Sequence, residues 1–115
     1  MTLWKSVERK IAVLLGGTRE PVSGRQRGYK ADIRHEYLSI EVKERQSLPA
    51  WLHEAMEQAE AAKQEGQHPI VVLHQKGLKH ADDFVVMRLS EFTGWVQRME
   101  NEIESYIAEQ AGEDY

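Results

Sequence analysis

The chain has 115 residues, 41 % of them hydrophobic and 30 % charged, with no cysteine and a formal net charge of −4. That length suits one domain, since domains typically run roughly 100–150 residues. The absence of cysteine excludes a disulfide framework, a thiolate nucleophile and any Cys-ligated zinc or iron–sulfur site. No apolar run approaches the about 20 residues of a membrane span, and Met1–Lys10 carries no signal-peptide core. The expectation is a cytoplasmic protein, one domain over residues 1–115, with no membrane partner.

The net charge averages two unlike parts. Residues 1–45 hold ten basic and six acidic side chains, whereas residues 100–115 hold six acids and neither Lys nor Arg. A cationic front half points toward an anionic partner, and the acidic end reads as a solvated helix end or tail.

Along the chain, Trp4, Val7, Ile11, Leu14 and Leu15 recur at spacings of three and four and predict an amphipathic helix over 3–15, stopped by Gly16-Gly17. With no G-K-[S/T] after it, that glycine pair is no phosphate loop, and no nucleotide cofactor is expected. Residues 18–30 read as loop, rich in breakers and carrying Arg19, Arg25, Arg27 and Lys30. Ala31–Arg34 and Leu38–Glu44 read as a short antiparallel hairpin. Ser47-Leu48-Pro49 opens a helix through about Glu65. Ile70–Leu73 suits a strand covered on both faces, and a loop, 74–83, leads to a strand over 84–89. Ser90 is the expected N-cap of a last helix bearing Phe92, Trp95, Val96 and Met99. Trp4, Trp51 and Trp95 read as packing residues rather than base-stacking platforms. The order α-β-β-α-β-β-α predicts an α/β domain, a mixed central sheet of about four to five strands flanked by helices.

The chemistry concentrates in Ala31–Lys43. On a strand, alternate side chains share a face, so Glu41 and Lys43 lie together while Ile40 and Val42 take the other side. Asp32 on the partner strand converges on the same point. Two carboxylates and an ammonium held on a sheet are what metal-assisted phosphodiester hydrolysis needs, because oxygen ligands suit Mg²⁺. Glu8, at the edge of the first helix's apolar stripe, is positioned to join them. The tripeptide Glu-x-Lys carries little by itself: Glu8-Arg9-Lys10 matches too, on a helix where residues two apart do not face each other.

Asp32 followed by Glu41-Val42-Lys43 resembles the D…(D/E)-x-K signature of the PD-(D/E)XK nuclease superfamily, with Ala31 where the signature has proline. Over residues 3–98 the pattern is similar to the archaeal-type Holliday junction resolvases. That resemblance implies a restriction-endonuclease-like core and a Mg²⁺-dependent endonuclease, with Mn²⁺ as a substitute, acting on four-way DNA junctions as a homodimer. By position it implies Asp32, Glu41 and Glu8 as metal ligands, Lys43 as the catalytic lysine and Ser23 as a serine near the scissile phosphate. Arg19, Arg25, Arg27, Lys30, Arg34 and Arg45 would then contact the DNA backbone, since arginine suits bidentate phosphate contacts. Two other readings stay open: a nuclease of this fold acting on flaps, nicks or duplex, and a non-catalytic DNA-binding protein.

The five histidines carry no recognised metal motif. His74 and His80 bracket a loop ending in Asp82-Asp83, but without a helical i, i+4 pair or cysteines this reads as loop polarity. His35 reads as an exposed turn residue.

Overall fold

The computed structural model describes residues 3–20 and 31–113. Its elements are α1 (Leu3–Leu15), β1 (Thr18–Arg19), β2 (Ile33–Arg34), β3 (Ser39–Ile40), α2 (Ala50–Ala62), β4 (Val71–Leu73), a 3-10 turn (His80–Asp82), β5 (Phe84–Val86) and α3 (Leu89–Glu113). The chain is thus mixed α/β. It divides into two compact units, Met1–Gln46 and Ser47–Tyr115. The strands divide with it: a three-stranded sheet of order β1-β2-β3 lies in the first unit and a β4-β5 pair in the second. All pairings are antiparallel. Among the described residues no helix is long and apolar enough to cross a membrane.

In the first unit, α1 packs its Glu8-Ala12-Leu15 line inward, and Ala12 and Leu15 are buried with Ile33 of the central strand. These positions are spaced i, i+4, i+7, one stripe of a helix. Leu14, expected on that stripe, is exposed beside Val13, while Val7 and Ile11 are half-buried. The inward face is therefore rotated from the one the apolar residues alone suggest, because an acidic residue occupies it.

The end of α1 is closed by its own backbone. Gly17 N–H donates to Ala12 O at 2.8 Å and Gly16 N–H to Val13 O at 3.3 Å. This reciprocal pair is a Schellman motif, and Gly16 supplies its left-handed residue at φ 74°. The Leu15 carbonyl takes a third donor, His35 Nε2, at 3.0 Å. His35 Nδ1 accepts from the amides of Tyr37 and Leu38 at 3.0 and 3.2 Å. One ring thus organises the β2–β3 turn and covers an orphan carbonyl at a helix end. His35 is half-buried, a fastener between elements rather than an exposed turn residue.

The chain leaves Gly17 directly into β1, inside the stretch expected to be loop. Thr18 and Arg19 pair with Arg34 and Ile33, and β2 pairs onward with β3 through Ile33↔Ile40 and Arg34↔Ser39. The strands are shorter than the hairpin expected from sequence, and the reason lies at Asp32, described below.

In the second unit, α2 starts after Pro49, whose carbonyl accepts from Leu52 N at 3.0 Å. It ends at Ala62 because Lys63 is extended. A turn follows in which Gln67 Oε1 accepts the Gln64 amide at 2.9 Å. The β4–β5 pair runs Val71↔Val86, Val72↔Val85 and Leu73↔Phe84. Val72 and Val85, opposite each other, are 54 % and 61 % exposed, so one face of this ribbon is open rather than covered. Alternation explains it: the neighbouring pair points the other way, and Val71 and Val86 are half-buried.

Helix α3 begins at Leu89, so Ser90 lies within its first turn, not before it; there Thr93 Oγ1 donates to Ser90 O at 3.0 Å. It continues as helix to Glu113 through the acidic stretch. Met56, Pro69 and Val96 are the buried apolar side chains among the described residues of this unit. Trp51 and Trp95, expected as packing residues, are each about half exposed. Trp95 meets the His68 ring edge-on, centroids 5.5 Å apart, and His68 Nδ1 lies 2.7 Å from Glu91 Oε2. Arg88 clamps Glu60 of α2 through two hydrogen bonds of 3.1 and 3.0 Å.

Candidate active site

Four of the five catalytic candidates, Glu8, Asp32, Glu41 and Lys43, are described, and all belong to the first unit. Ser23, Arg25, Arg27 and Lys30 lie outside the described residues, as does the side chain of Trp4.

Asp32 sits immediately before β2. Its amide donates to Ile40 O at 3.0 Å and its carbonyl accepts Glu20 N–H at 2.9 Å, so its backbone is tied into both neighbours of the central strand. Its carboxylate Oδ2 accepts the amide of Val42 at 2.6 Å. A side-chain oxygen here takes the donor that a main-chain carbonyl would take in a continuing ladder, and such substitution ends regular pairing. That is why β3 stops at Ile40 and Glu41–Lys43 leaves the strand.

The same bond sets the site. Val42 lies between Glu41 and Lys43, so the Asp32 carboxylate is anchored to the residue separating the two other candidates. Glu41 and Lys43 are exposed, and neither forms a hydrogen bond or ion pair with the described residues. The short ladder thus brings Asp32 close to the segment of Glu41 and Lys43, although all three stand outside a strand.

Glu8 is differently placed. It is buried on the inward stripe of α1, and its Oε2 accepts from Arg19 Nε at 2.6 Å. Arg19 reaches it because β1 aims Arg19 to the same side as its register partner Ile33, toward α1. Glu8 is therefore the counter-ion of an inward arginine, and its carboxylate does not converge with Asp32 and Glu41 to within 4.8 Å as a three-ligand set.

The basic candidates divide the same way. Arg19, with a side chain 14 % exposed, is committed to Glu8. Arg34 is largely exposed and pairs with the nearly buried Glu20, Nε to Oε2 at 3.2 Å. Arg45 is exposed and bonds only the neighbouring Glu44 carbonyl among the described residues, at 2.9 Å. Of the described candidates, Arg34 and Arg45 are thus the exposed arginines, Arg34 with Glu20 as its partner.

A second convergence of polar groups lies in the second unit, where the sequence carries only scattered loop polarity. His74 Nδ1 is 2.6 Å from Asp83 Oδ1, and His80 Nδ1 is 3.2 Å from Asp83 Oδ2. No sequence spacing announces this cluster, because the fold of the loop creates it.

Compared with known protein families, with curated proteins and with solved structures, the chain has no match.

Proposed function

We propose that this chain is a Mg²⁺-dependent DNA endonuclease with a restriction-endonuclease-like core, acting in the cytoplasm as a homodimer on four-way junctions. The observation that carries the reading is the Asp32–Val42 bond of 2.6 Å, which anchors one carboxylate between Glu41 and Lys43. The structure is mixed α/β, but its strands form two separate antiparallel sheets rather than the one mixed central sheet expected, so the restriction-endonuclease-like core rests on the sequence resemblance.

An all-oxygen pair of carboxylates, one fixed by a backbone amide and one exposed, fits a cation that keeps most of its waters. In this reading Asp32 and Glu41 would hold Mg²⁺, which would supply Lewis acidity at the phosphate. Val42 N–H fixes the Asp32 carboxylate, so that ligand is oriented before substrate arrives. Lys43, one residue beyond, places an ammonium where it orients the attacking water and offsets charge on the phosphate. Arg34 and Arg45 contact the phosphate backbone, which positions DNA without reading its sequence. Glu8 acts indirectly by holding Arg19 inward; to serve as a metal ligand it would have to exchange that partner. Arg25, Arg27 and Lys30 complete the DNA-contacting set in this reading, and Ser23 is its serine near the scissile phosphate.

The test incubates the protein with Mg²⁺, a synthetic four-way junction and a linear duplex of the same sequence. Paired nicking of the junction with the duplex spared is the expected result. Cleavage of duplex, flap or nicked DNA would move the substrate while keeping the site; cleavage of none overturns the nuclease reading in favour of a binding protein. Glu41→Ala and Lys43→Ala should each lower the cleavage rate by about 10²- to 10⁴-fold, with junction binding retained in gel-shift titration.

A further inference from the structure

The loop joining β4 to β5 leaves and re-enters the ribbon at register partners Leu73 and Phe84. His74 follows the first and Asp83 precedes the second, so the two side chains stand across from each other just beyond the ladder. The loop then folds back on this base. Leu78 N donates to Gln75 O at 3.1 Å, Asp82 N to Lys79 O at 3.0 Å and Asp83 N to His80 O at 3.1 Å. The last of these closes the 3-10 turn that delivers His80 to the same carboxylate. Both imidazoles present Nδ1 to Asp83, one to each oxygen, and the rings stack with centroids 4.3 Å apart. Donor atoms of all three lie within 4.8 Å of one another. The Asp83 side chain is only 12 % exposed while that of His80 is 84 % exposed, so the carboxylate is fixed and the cluster opens to solvent.

We propose that His74, His80 and Asp83 form a binding site for a late first-row divalent cation of the Zn²⁺ type, separate from the carboxylate site of the first unit. Imidazole nitrogens with one carboxylate make a borderline donor set: softer than the all-oxygen sets of Mg²⁺ and Ca²⁺, harder than the thiolates that select Cu(I). With the ligand atoms within 4.8 Å of one another, metal–nitrogen bonds of about 2.0–2.1 Å are reached by side-chain adjustment, the cation displacing the Nδ1 protons that the imidazoles share with Asp83. Three protein donors leave coordination positions for water. His74 and Asp83 also line a cavity of about 420 Å³ with Trp51, Leu73, Leu78 and Phe84, so the site borders an apolar recess. The ion clips the loop to the base of the ribbon, a constraint the apolar contacts of a two-stranded pair do not provide alone.

The test titrates Zn²⁺ into the untagged, metal-free protein against a chromophoric chelator, without DNA. One tightly bound equivalent is expected, retained in Glu41→Gln and in His53→Ala, whose histidine is exposed and outside the cluster. His80→Ala and Asp83→Asn should each weaken binding at least about tenfold, and millimolar Mg²⁺ should not displace the ion. His80 makes no backbone bond through its ring, so His80→Ala remains informative if Asp83→Asn disturbs the ribbon. Zinc binding unchanged by His80→Ala, or lost in Glu41→Gln, overturns the assignment, as does no binding at all. None of these outcomes depends on nuclease activity, so this site and the proposed function stand or fall separately.

Discussion

Glu8 and Arg19 meet at 2.6 Å with side chains only 6 % and 14 % exposed, which makes them an internal ion pair rather than surface decoration. Removing one partner of such a pair strands a charge where water cannot reach it, whereas replacing both with apolar groups is often neutral. Arg19→Ala should therefore lower stability by about 3 kcal/mol, measured by urea unfolding. The double variant Glu8→Leu/Arg19→Met should recover most of that loss. If instead the double variant is as unstable as Arg19→Ala, the pair is not the source of the penalty. The pair also separates two roles that spacing in the sequence merges. A glutamate at the edge of an apolar helix stripe and an arginine in a basic stretch look like metal ligand and DNA contact, but each is the other's partner in the fold. Strand pairing was legible in the sequence only in part: Ile33 and Ile40 pair as the hairpin predicts, but Glu41 and Lys43, expected on one strand face, lie beyond the end of β3. Sequence reasoning could not see that the Asp32 side chain ends the strand, because that depends on a bond between residues ten apart.

At the scale of elements, the join between α1 and β1 is tightly specified. A Cβ placed on Gly17 would lie 2.7 Å from both Arg34 O and Ile33 Cγ2, and a backbone carbonyl beneath a helix end has little freedom to move. Gly94, inside α3, has nothing within 4 Å of the same position. Gly17→Ala should destabilise by about 1–3 kcal/mol through overpacking. Gly94→Ala should stabilise by about 0.5–1 kcal/mol, because a mid-helix glycine loses entropy that alanine does not; thermal melts of both variants check the opposite signs. The helices were legible in the sequence because their periodicity extends over three or more turns, and Gly16-Gly17 marked the first stop correctly. β1 was not, since two residues make no pattern until β2 lies beside them. Helix α2 ends short of Gly66 through a glutamine clasp that has no sequence signature. Helix α3 runs on through residues whose acidity suggested fraying. His74, His80 and Asp82-Asp83 were singled out in the sequence and set aside as loop polarity, because their spacing matches no helical or strand repeat; the turn at His80–Asp82 brings His74, His80 and Asp83 together.

For the molecule as a whole, the charge asymmetry of the sequence coincides with the division into units. Residues 1–46 carry ten basic and six acidic groups, whereas 47–115 carry five basic and thirteen acidic. If the proposed function holds, a polyanion would be attracted to the unit holding Asp32, Glu41 and Lys43 and repelled by the other. Within the acidic unit, Arg88 links the first turn region of α3 to α2. Its hydrogen bonds, aided by its charge, hold the Glu60 carboxyl below the usual range. A lowered folded value means that the unfolded chain binds the proton first, so this contribution is complete above pH 4.5 and disappears as acid titrates the folded carboxylate. Stability should consequently fall less steeply between neutral pH and strong acid in Arg88→Gln than in the native chain, as read from melting temperatures across that range. Equal slopes would show that the clamp is too well solvated to matter.

The amide of Val42 lies outside every strand, yet it donates to a carboxylate at 2.6 Å. Its hydrogen should therefore exchange with deuterated solvent far more slowly than those of its neighbours Glu41 and Lys43, a lone protected position in an open segment. The acceptor, Asp32 Oδ2, belongs to the carboxylate that the proposed cation would share, so adding Mg²⁺ should change the protection of this amide before any DNA is present. On the proposed function, one backbone proton would thus report metal occupancy, sensing whether Asp32 serves the fold alone or the fold and an ion together.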